Sequence, residues 1–243
     1  MNVPKPIAIL ETKIHPVRFG DVLRYIEHSV KNKHRAVLFP MNIHIFIELS
    51  KDSHFKHKHE SANIIFCDGV PLIWLSKLKS LSLPERISGT NLTDALLMSD
   101  YRIFLLGSSN EVLEKMKKKY INICGTYSPP YATEWGNEEN KKIIKRIHDS
   151  RADILLIGVG PLKQERWVVK YKNKIKTPII IAVGSAFDIL SGNNPRAPKI
   201  MQYLGLEWVW RILLEPKRLG YRYCKDSIAF FHTVYSILLS KIV

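Results

Sequence analysis

The chain has 243 residues, 46% of them hydrophobic, and its 37 Lys and Arg residues against 22 Asp and Glu give a formal net charge of +15. This size allows one sizeable buried core, and the charge favours partners that contain phosphate groups, whether nucleic acid, lipid head groups or nucleotides. The three cysteines, Cys67, Cys124 and Cys224, are widely spaced and odd in number, which excludes a disulfide framework or a structural zinc site as the basis of the fold.

The N-terminal segment, residues 1–16, contains scattered charges and prolines and no continuous apolar stretch after a basic start. A secretory signal peptide needs such a stretch. Because the cysteine pattern also fits a reducing compartment, we expect the bulk of the chain to lie in the cytoplasm.

Short apolar runs and amphipathic segments alternate along most of the chain. Each apolar run is bounded by turn residues, which predicts buried parallel strands, and the runs are residues 36–39, 63–67, 101–106, 154–159 and 177–183. The segments between them have helical spacing and charged faces, and they are residues 19–31, 111–120, 138–150 and 164–173. This alternation predicts an α/β fold, a Rossmann-like and mostly parallel sheet with helices on both faces. We assign residues 1–203 to this core.

Polar residues and glycines follow the predicted strands. Open α/β sheets bind ligands at the carboxyl ends of their strands, and glycine lets a backbone approach a ligand closely. A single glycine can also merely end a strand, but several at one edge indicate a site. The residues that follow the five strands are Asn42, Asp68 with Gly69, Gly107 with Ser108 and Ser109, Gly158 with Gly160, and Gly184 with Ser185.

From residue 204 onward, aromatic and arginine residues interleave, as in the run GLEWVWR at residues 205–211. Residues 227–243 are mostly apolar, but polar residues interrupt them and their length is at the short limit for a membrane span. We therefore interpret residues 204–243 as a basic, aromatic helical appendage that associates with a membrane surface. Packing against the core or another subunit is the alternative for its apolar face, which we assign to Ile228, Phe231, Val234, Tyr235, Leu238 and Ile242.

Asp68 is a candidate general base, because it ends an apolar strand at the ligand edge of the sheet. Partial burial there would raise the pKa of its carboxyl group toward the range useful for proton transfer. The alternative is that Asp68 caps the helix predicted at residues 70–77.

Arg86 is a candidate phosphate-binding residue in a loop before the next helix. A guanidinium group presents a planar fork of donors that matches phosphate oxygens, and stabilising the charge of a leaving group is usually a large catalytic effect. A surface ion pair is the alternative for this residue.

Gln164 and Glu165 open a predicted helix directly after a glycine-rich turn, and helix N-termini of this kind bind anions or sugars. The turn lacks both the spacing of the dinucleotide fingerprint and a Walker lysine motif. Asp188 follows the last strand, and it either reaches a ribose or base or caps a turn.

Six short motifs resemble the signatures of the WecG/TagA/CpsF glycosyltransferases, and the likeness covers residues 36–223. In chain order they are DG at 68–69, RISGT at 86–90, GVGPLKQERW at 158–167, VGSAFD at 183–188, RAP at 196–198 and GLEW at 205–208.

The resemblance implies an inverting sugar transfer that needs no metal ion and no cofactor. The donor would be a UDP-sugar, such as UDP-N-acetylmannosamine, its uronic acid or a UDP-glucose-like molecule, and the acceptor a sugar linked to undecaprenyl diphosphate. Such an enzyme serves cell-surface polysaccharide synthesis as a peripheral protein on the inner face of the cell membrane. Its partners are the donor, the lipid-linked acceptor and the membrane surface, without nucleic acid, and a homo-oligomeric state is left open.

The resemblance also implies roles for individual residues. Asp68 matches the family's base and Arg86 its leaving-group arginine, which makes these two the candidate catalytic residues. We assign substrate binding to Asn42, Gln164, Glu165, Gly107, Gly184, Asp188 and Tyr131. The arginines that would meet the lipid diphosphate are Arg211, Arg218 and Arg222.

The chain departs from the family pattern at the end of the first strand and in the C-terminal arginines. Pro40 stands where the family commonly has threonine, which removes a hydroxyl group from the expected site. Tyr221 stands where the last arginine of the C-terminal set is expected, with Arg222 beside it.

Two other classes of protein fit parts of the sequence. The positive charge and the basic clusters at residues 115–119 and 141–146 are compatible with nucleic-acid binding, although clusters on helix faces are usually solvated surface and no known nucleic-acid module accompanies them. A nucleotide-binding oxidoreductase on a similar sheet is the second, and the missing glycine fingerprint disfavours it.

Overall fold

The computed structural model describes residues 3–239, except for the side chains of Tyr203, Arg218, Thr233 and residues 236–239. The strands are β1 (Ile7–Ile9), β2 (Thr12–Ile14), β3 (Ala36–Met41), β4 (Ile64–Cys67), β5 (Ile103–Gly107), β6 (Ile123–Tyr127), β7 (Ile154–Gly158) and β8 (Ile179–Ala182). The helices of the first half are α1 (Phe19–Lys31), α2 (Ile43–Ser50), α3 (Ser53–His59), α4 (Val70–Leu78), α5 (Gly89–Leu97) and α6 (Asn110–Lys119). Those of the second half are α7 (Asn137–Ser150), α8 (Lys163–Tyr171), α9 (Ala186–Leu190), α10 (Lys199–Tyr203), α11 (Glu207–Leu214) and α12 (Pro216–Leu239).

A six-stranded sheet in the order β4-β3-β8-β7-β5-β6 forms the centre of the fold. Every pairing in this sheet is parallel, so all six carboxyl ends lie along one edge. The predicted α/β architecture is confirmed, and each of the five predicted strands is present. β1 and β2 form a separate antiparallel hairpin.

Helices cover both faces of the sheet, because side chains of each strand alternate between two hydrophobic cores. On one face, Phe39 and Ile65 pack in a cluster with residues of α2, α7 and α8. On the other, Leu38 and Phe66 pack in a cluster with residues of α1, α5 and α6. Strands buried on both faces need apolar residues at successive positions, which is why these strands read as continuous apolar runs.

The edge strand β6 was not predicted from the sequence. It reads ICGTY, and all five of its residues are only partly buried. Gly125 lets β5 approach closely, since a Cβ atom at this position would lie 2.7 Å from the ring of Phe104. An edge strand that is half exposed has no continuous apolar run for a sequence pattern to detect.

The long C-terminal helix α12 packs one face on the core and exposes another. Ala229, Phe230 and Val234 pack against the first hydrophobic cluster, whereas Ile228, Phe231 and Tyr235 are 67%, 68% and 62% exposed. Our assignment of Val234 to the same face as Ile228 is therefore wrong, because Val234 faces the core. The side chains of Leu238 and Ile242, which we assigned to that face, lie outside the described residues.

α12 thus packs on the core on one side, as the alternative predicted, and exposes apolar residues on the other, while association with a membrane surface stays a prediction. No helix within residues 3–239 combines the length and hydrophobicity that a membrane crossing requires.

Candidate active site

A cleft of about 1180 Å³ opens at the carboxyl edge of the sheet. Most of the residues that we predicted to form a site line it, and they are Asn42, Asp68, Arg86, Gly107, Tyr131, Gln164, Gly184, Asp188, Arg211 and Arg222. The side chain of Arg218, a predicted ligand of the lipid diphosphate, lies outside the described part of the structure. Residues from distant parts of the chain meet here because parallel strands end at the same edge.

Asp68 directly follows β4, and its backbone N–H donates to the carbonyl of Met41 at 2.8 Å. The N-cap of α4 is Gly69, without a side-chain capping bond, so the alternative that Asp68 caps this helix is wrong. The side chain retains 24% exposure and lines the cleft.

Burial raises the pKa of the Asp68 carboxyl group to about 6. The positive charges of Arg86 and Arg211 and a backbone hydrogen bond from Gly89 oppose this rise, and the negative charge of Glu207 adds to it. A carboxylate with a pKa near 6 is largely ionised at neutral pH and still basic enough to accept a proton from a reacting hydroxyl group.

Arg86 lies beside Asp68 and is held by two carboxylates. Its Nε and Nη2 atoms are each 3.5 Å from Oδ1 of Asp68, and Nη2 also donates to Oε2 of Glu207 in α11. The loop is fixed to the sheet because the backbone N–H of Ile87 donates to the carbonyl of Cys67 at 2.7 Å. Arg86 is thus an ion-paired residue inside the cleft rather than on the open surface.

Asn42 is the N-cap of α2, and its Oδ1 accepts a hydrogen bond of 3.0 Å from the backbone N–H of Ile45. The amide nitrogen is the part of this side chain that can donate into the cleft. Gly69 brings the loops after β3 and β4 together, since a Cβ atom there would lie 3.4 Å from Cα of Asn42.

Gln164 and Glu165 form a buried pair under the loops after β7 and β8. Oε1 of Gln164 accepts from the backbone N–H of Gly184 at 3.2 Å, and Nε2 donates to Oε1 of Glu165 at 2.8 Å. Gln164 lines the cleft, whereas Glu165 is completely buried and is not among the lining residues. Glu165 therefore lies behind the lining of the cleft, where it orients Gln164. The substrate-contacting position that we predicted for Glu165 is wrong.

Burial raises the pKa of Glu165 to about 7. Its Oε2 atom has no hydrogen-bond partner. A carboxyl group in such surroundings is stabilised in its neutral form.

Several residues at the bottom of the cleft adopt backbone conformations that favour glycine. At Gly107, with φ of +118°, a Cβ atom would lie 2.5 Å from the carbonyl oxygen of Gly158, so a larger residue would force β5 and β7 apart. Ser108 follows with φ of +60°, and its hydroxyl group donates to Oδ1 of Asp188 at 3.0 Å. This bond ties the loop after β5 to α9. Asp188 therefore has a partner across the cleft rather than a local turn to cap.

The loop between β6 and α7 forms one rim of the cleft. The hydroxyl group of Ser128 donates to the carbonyl of Ser108 at 2.7 Å, and Nε1 of Trp135 donates to the carbonyl of Pro130 at 3.0 Å. Tyr131 lies between these anchors and is fully exposed. The loop thus presents an aromatic ring at the mouth of the cleft.

Sequence reasoning missed a hydrogen-bonded pair in the cleft wall. Nδ1 of His44 in α2 lies 3.1 Å and 3.2 Å from the two carboxylate oxygens of Asp226 in α12, and the Asp226 side chain is only 3% exposed. It missed Glu207 as well, although Glu207 lies within the GLEW motif. The partners are 182 and 121 residues apart in the chain, and no local pattern predicts contacts over such distances.

No group of three or more His, Cys, Asp or Glu side chains that could hold a metal ion occurs in the part of the chain that the structure describes.

A doubly wound parallel sheet with a cleft at its strand ends, lined by apolar surface and a set of convergent polar groups, defines an α/β protein of the kind that binds its ligands at this edge. The family model described as "Glycosyl transferase WecG/TagA/CpsF family" matches residues 7–242. The chain belongs to this family.

Curated relatives from Staphylococcus aureus strains NCTC 8325 / PS 47 and COL are each 30% identical to this chain over 167 residues. Both are named N-acetylglucosaminyldiphosphoundecaprenol N-acetyl-beta-D-mannosaminyltransferase. The match covers 65% of this chain and 64% of each relative.

Proposed function

We propose that this chain is a glycosyltransferase that moves a hexose-type sugar from a UDP-sugar to a sugar linked to a polyprenyl diphosphate, in cell-surface polysaccharide synthesis. Family membership supports the reaction class. The name of the S. aureus relatives supports N-acetylmannosamine as the transferred sugar and lipid-linked N-acetylglucosamine as the acceptor. The strongest support for the site is the position of the Asp68 carboxylate, which is partly buried in the cleft and lies beside Arg86.

In the proposed reaction, Asp68 accepts the proton of the acceptor hydroxyl group as that oxygen attacks the anomeric carbon of the donor. The new glycosidic bond forms on the face opposite the leaving group, and the bond from the anomeric carbon to the UDP oxygen breaks. Its electron pair departs with UDP, whose added negative charge Arg86 stabilises. The raised pKa of Asp68 suits the proton transfer.

The donor would lie along the glycine-rich strand ends. Gly107 and Gly184 allow the close approach of a diphosphate or ribose, Asp188 can accept hydrogen bonds from ribose hydroxyl groups, and Tyr131 can stack on the base. Asn42 and Gln164 are the amide side chains that would orient the sugars.

The acceptor would enter from the side of α11 and α12, where Arg211 and Arg222 line the cleft and can meet its diphosphate. Large apolar side chains are exposed on α4, α11, α12 and in or just after α10, and they are Trp74, Leu78, Ile200, Leu204, Trp208, Leu213, Leu214, Tyr221, Ile228, Phe231 and Tyr235. α4 and the segment before α11 are in contact, since a Cβ atom at Gly205 would lie 2.2 Å from Val70. A surface of this composition suits the interface of a membrane, and we propose that residues 204–243 associate with its inner face.

A panel of UDP-sugars tests the reaction class and the donor together. Purified protein is incubated with each donor and a short-chain prenyl-diphosphate N-acetylglucosamine, with and without EDTA, and the released UDP is measured. We expect release with UDP-N-acetylmannosamine that depends on the acceptor and persists in EDTA. Acceptor-dependent release with none of the donors would contradict the proposal, and loss of release in EDTA would contradict its metal-free part.

A further inference from the structure

Glu207 joins the C-terminal segment to the centre of the cleft. It is the first residue of α11, lines the cleft and contacts Arg86. Its side chain is 18% exposed, so the contact is partly shielded from water and is stronger than an open surface ion pair. The group around Asp68 is therefore incomplete without a residue from beyond position 204.

Arg86 lies between two carboxylates but contacts them unequally. Its distances to Asp68 are 3.5 Å, at the long limit of a hydrogen bond, whereas its Nη2 atom donates directly to Glu207. A guanidinium group has five N–H donors in one plane. Nε and Nη2 face the carboxylates. Nη1 is therefore the nitrogen that can donate to a phosphate oxygen.

The unequal contacts determine which charges surround the Asp68 carboxylate. Arg86 and Arg211 face Asp68 as positive charges, Glu207 faces it as a negative charge, and the neighbouring thiol of Cys67 is kept neutral because burial raises its pKa to about 12. A guanidinium group bound closely to Asp68 alone would stabilise the ionised carboxylate and weaken it as a base. The negative charge of Glu207 offsets part of the positive charge of Arg86 and so limits this effect.

We propose that Glu207 is a positioning residue for the transfer. It holds Arg86 in place for the leaving diphosphate, and it prevents Arg86 from binding Asp68 so closely that Asp68 becomes a weaker base. This inference rests on the proposed function. It assigns to the C-terminal segment a part in the chemistry in addition to acceptor binding.

Glu207→Gln tests the inference, because it keeps the length and an acceptor oxygen and removes only the charge. We expect kcat to fall on the order of tenfold, less than the hundredfold or more expected when the base itself is removed, and the acid limb of the kcat/KM profile to move to lower pH. Glu114→Gln, an exposed residue of α6, is the matched control and should change neither. Unchanged kcat and an unmoved acid limb in Glu207→Gln would overturn the inference.

Glu207→Asp is the second variant, and it decides the matter if Glu207→Gln does not fold. It keeps the charge and withdraws the carboxylate by one methylene group, so we expect the acid limb to remain in place and kcat to fall. Wild-type kcat in Glu207→Asp would contradict the positioning role. Failure of the proposed function is distinguishable, because then the wild type releases no UDP or Asp68→Asn remains active.

Discussion

At the scale of single residues, Asp68 and Glu165 show how burial gives two carboxyl groups different tasks. Burial raises the pKa of both, to about 6 and about 7. Asp68 keeps contact with the cleft and has an arginine beside it, so it can exchange a proton with a substrate. Glu165 is sealed off and touches the cleft only through Gln164.

Glu165→Gln is expected to stabilise the fold at alkaline pH. The pKa of Glu165 is raised from 4.5 to about 7 on folding, so the neutral form favours folding below pH 4.5 and this contribution is lost as the pH rises toward 7. Glutamine stays neutral throughout, so the gain in unfolding free energy should be about 1–3 kcal/mol at pH 8 and close to zero at pH 4. Thermal unfolding at the two pH values measures it, and an equal effect at both would contradict the assignment.

At the scale of elements, the sequence predicted the strands and helices whose buried positions follow a regular pattern, either a continuous apolar run or helical spacing. Strands buried on both faces were found, and α1 was predicted with its observed bounds. α2 and α3 were not predicted, because they follow so closely on β3 that the strand-end residue Asn42 is also a helix cap. Asp52 caps α3 in the same way. Asn42 was interpreted only as a substrate-binding residue, although its side-chain oxygen also accepts from a backbone N–H at the start of α2.

Asp226→Asn is expected to loosen α12 from α2. The substitution removes the carboxylate that contacts His44 at a position where the Asp226 side chain is only 3% exposed. Breaking a buried hydrogen bond to a carboxylate costs about 1–3 kcal/mol. Hydrogen exchange of the α12 amides should accelerate on the order of tenfold, while exchange in β5 and β7 stays unchanged. Lys217→Gln, at an exposed position of the same helix, is the control. Unaltered exchange in α12 would show that the apolar contacts of Ala229, Phe230 and Val234 suffice to fix the helix.

At the scale of the whole molecule, the rule that parallel strands end at one edge predicted the meeting of Asn42, Asp68 and Gln164. It could not predict the pairing of Arg86 with Glu207 or of His44 with Asp226, because helices that return to the sheet from the end of the chain make these contacts. Their positions depend on packing over the entire core, which has no periodic signal in the sequence.

The exposed apolar face of α12 is expected to determine membrane binding. Ile228→Ser with Tyr235→Ser, at two exposed positions outside the cleft lining, should lower the partition coefficient for anionic phospholipid vesicles on the order of a hundredfold, since each side chain adds about 1.5 kcal/mol when buried in the interface. UDP release with a water-soluble short-chain acceptor should be retained.

Met98→Ser with Ile121→Ser is the matched control for vesicle flotation, because these apolar residues are at least as exposed but lie near the amino-terminal ends of the strands, at the opposite edge of the sheet. Equal flotation of both double variants and the wild type would contradict the membrane role of the C-terminal segment.

The role of Asp68 is tested most directly by UDP release from Asp68→Asn, compared with the wild type and with Asp149→Asn, a substitution at an exposed residue of α7. We predict that Asp68→Asn loses at least a hundredfold in kcat, as expected for removal of a general base, while calorimetry shows UDP binding within about twofold of the wild type. The wild type should show an acid limb near pH 6, where the Asp68 carboxyl group loses its proton. Turnover by Asp68→Asn at the rate of the wild type and of Asp149→Asn would contradict the central claim that Asp68 is the base.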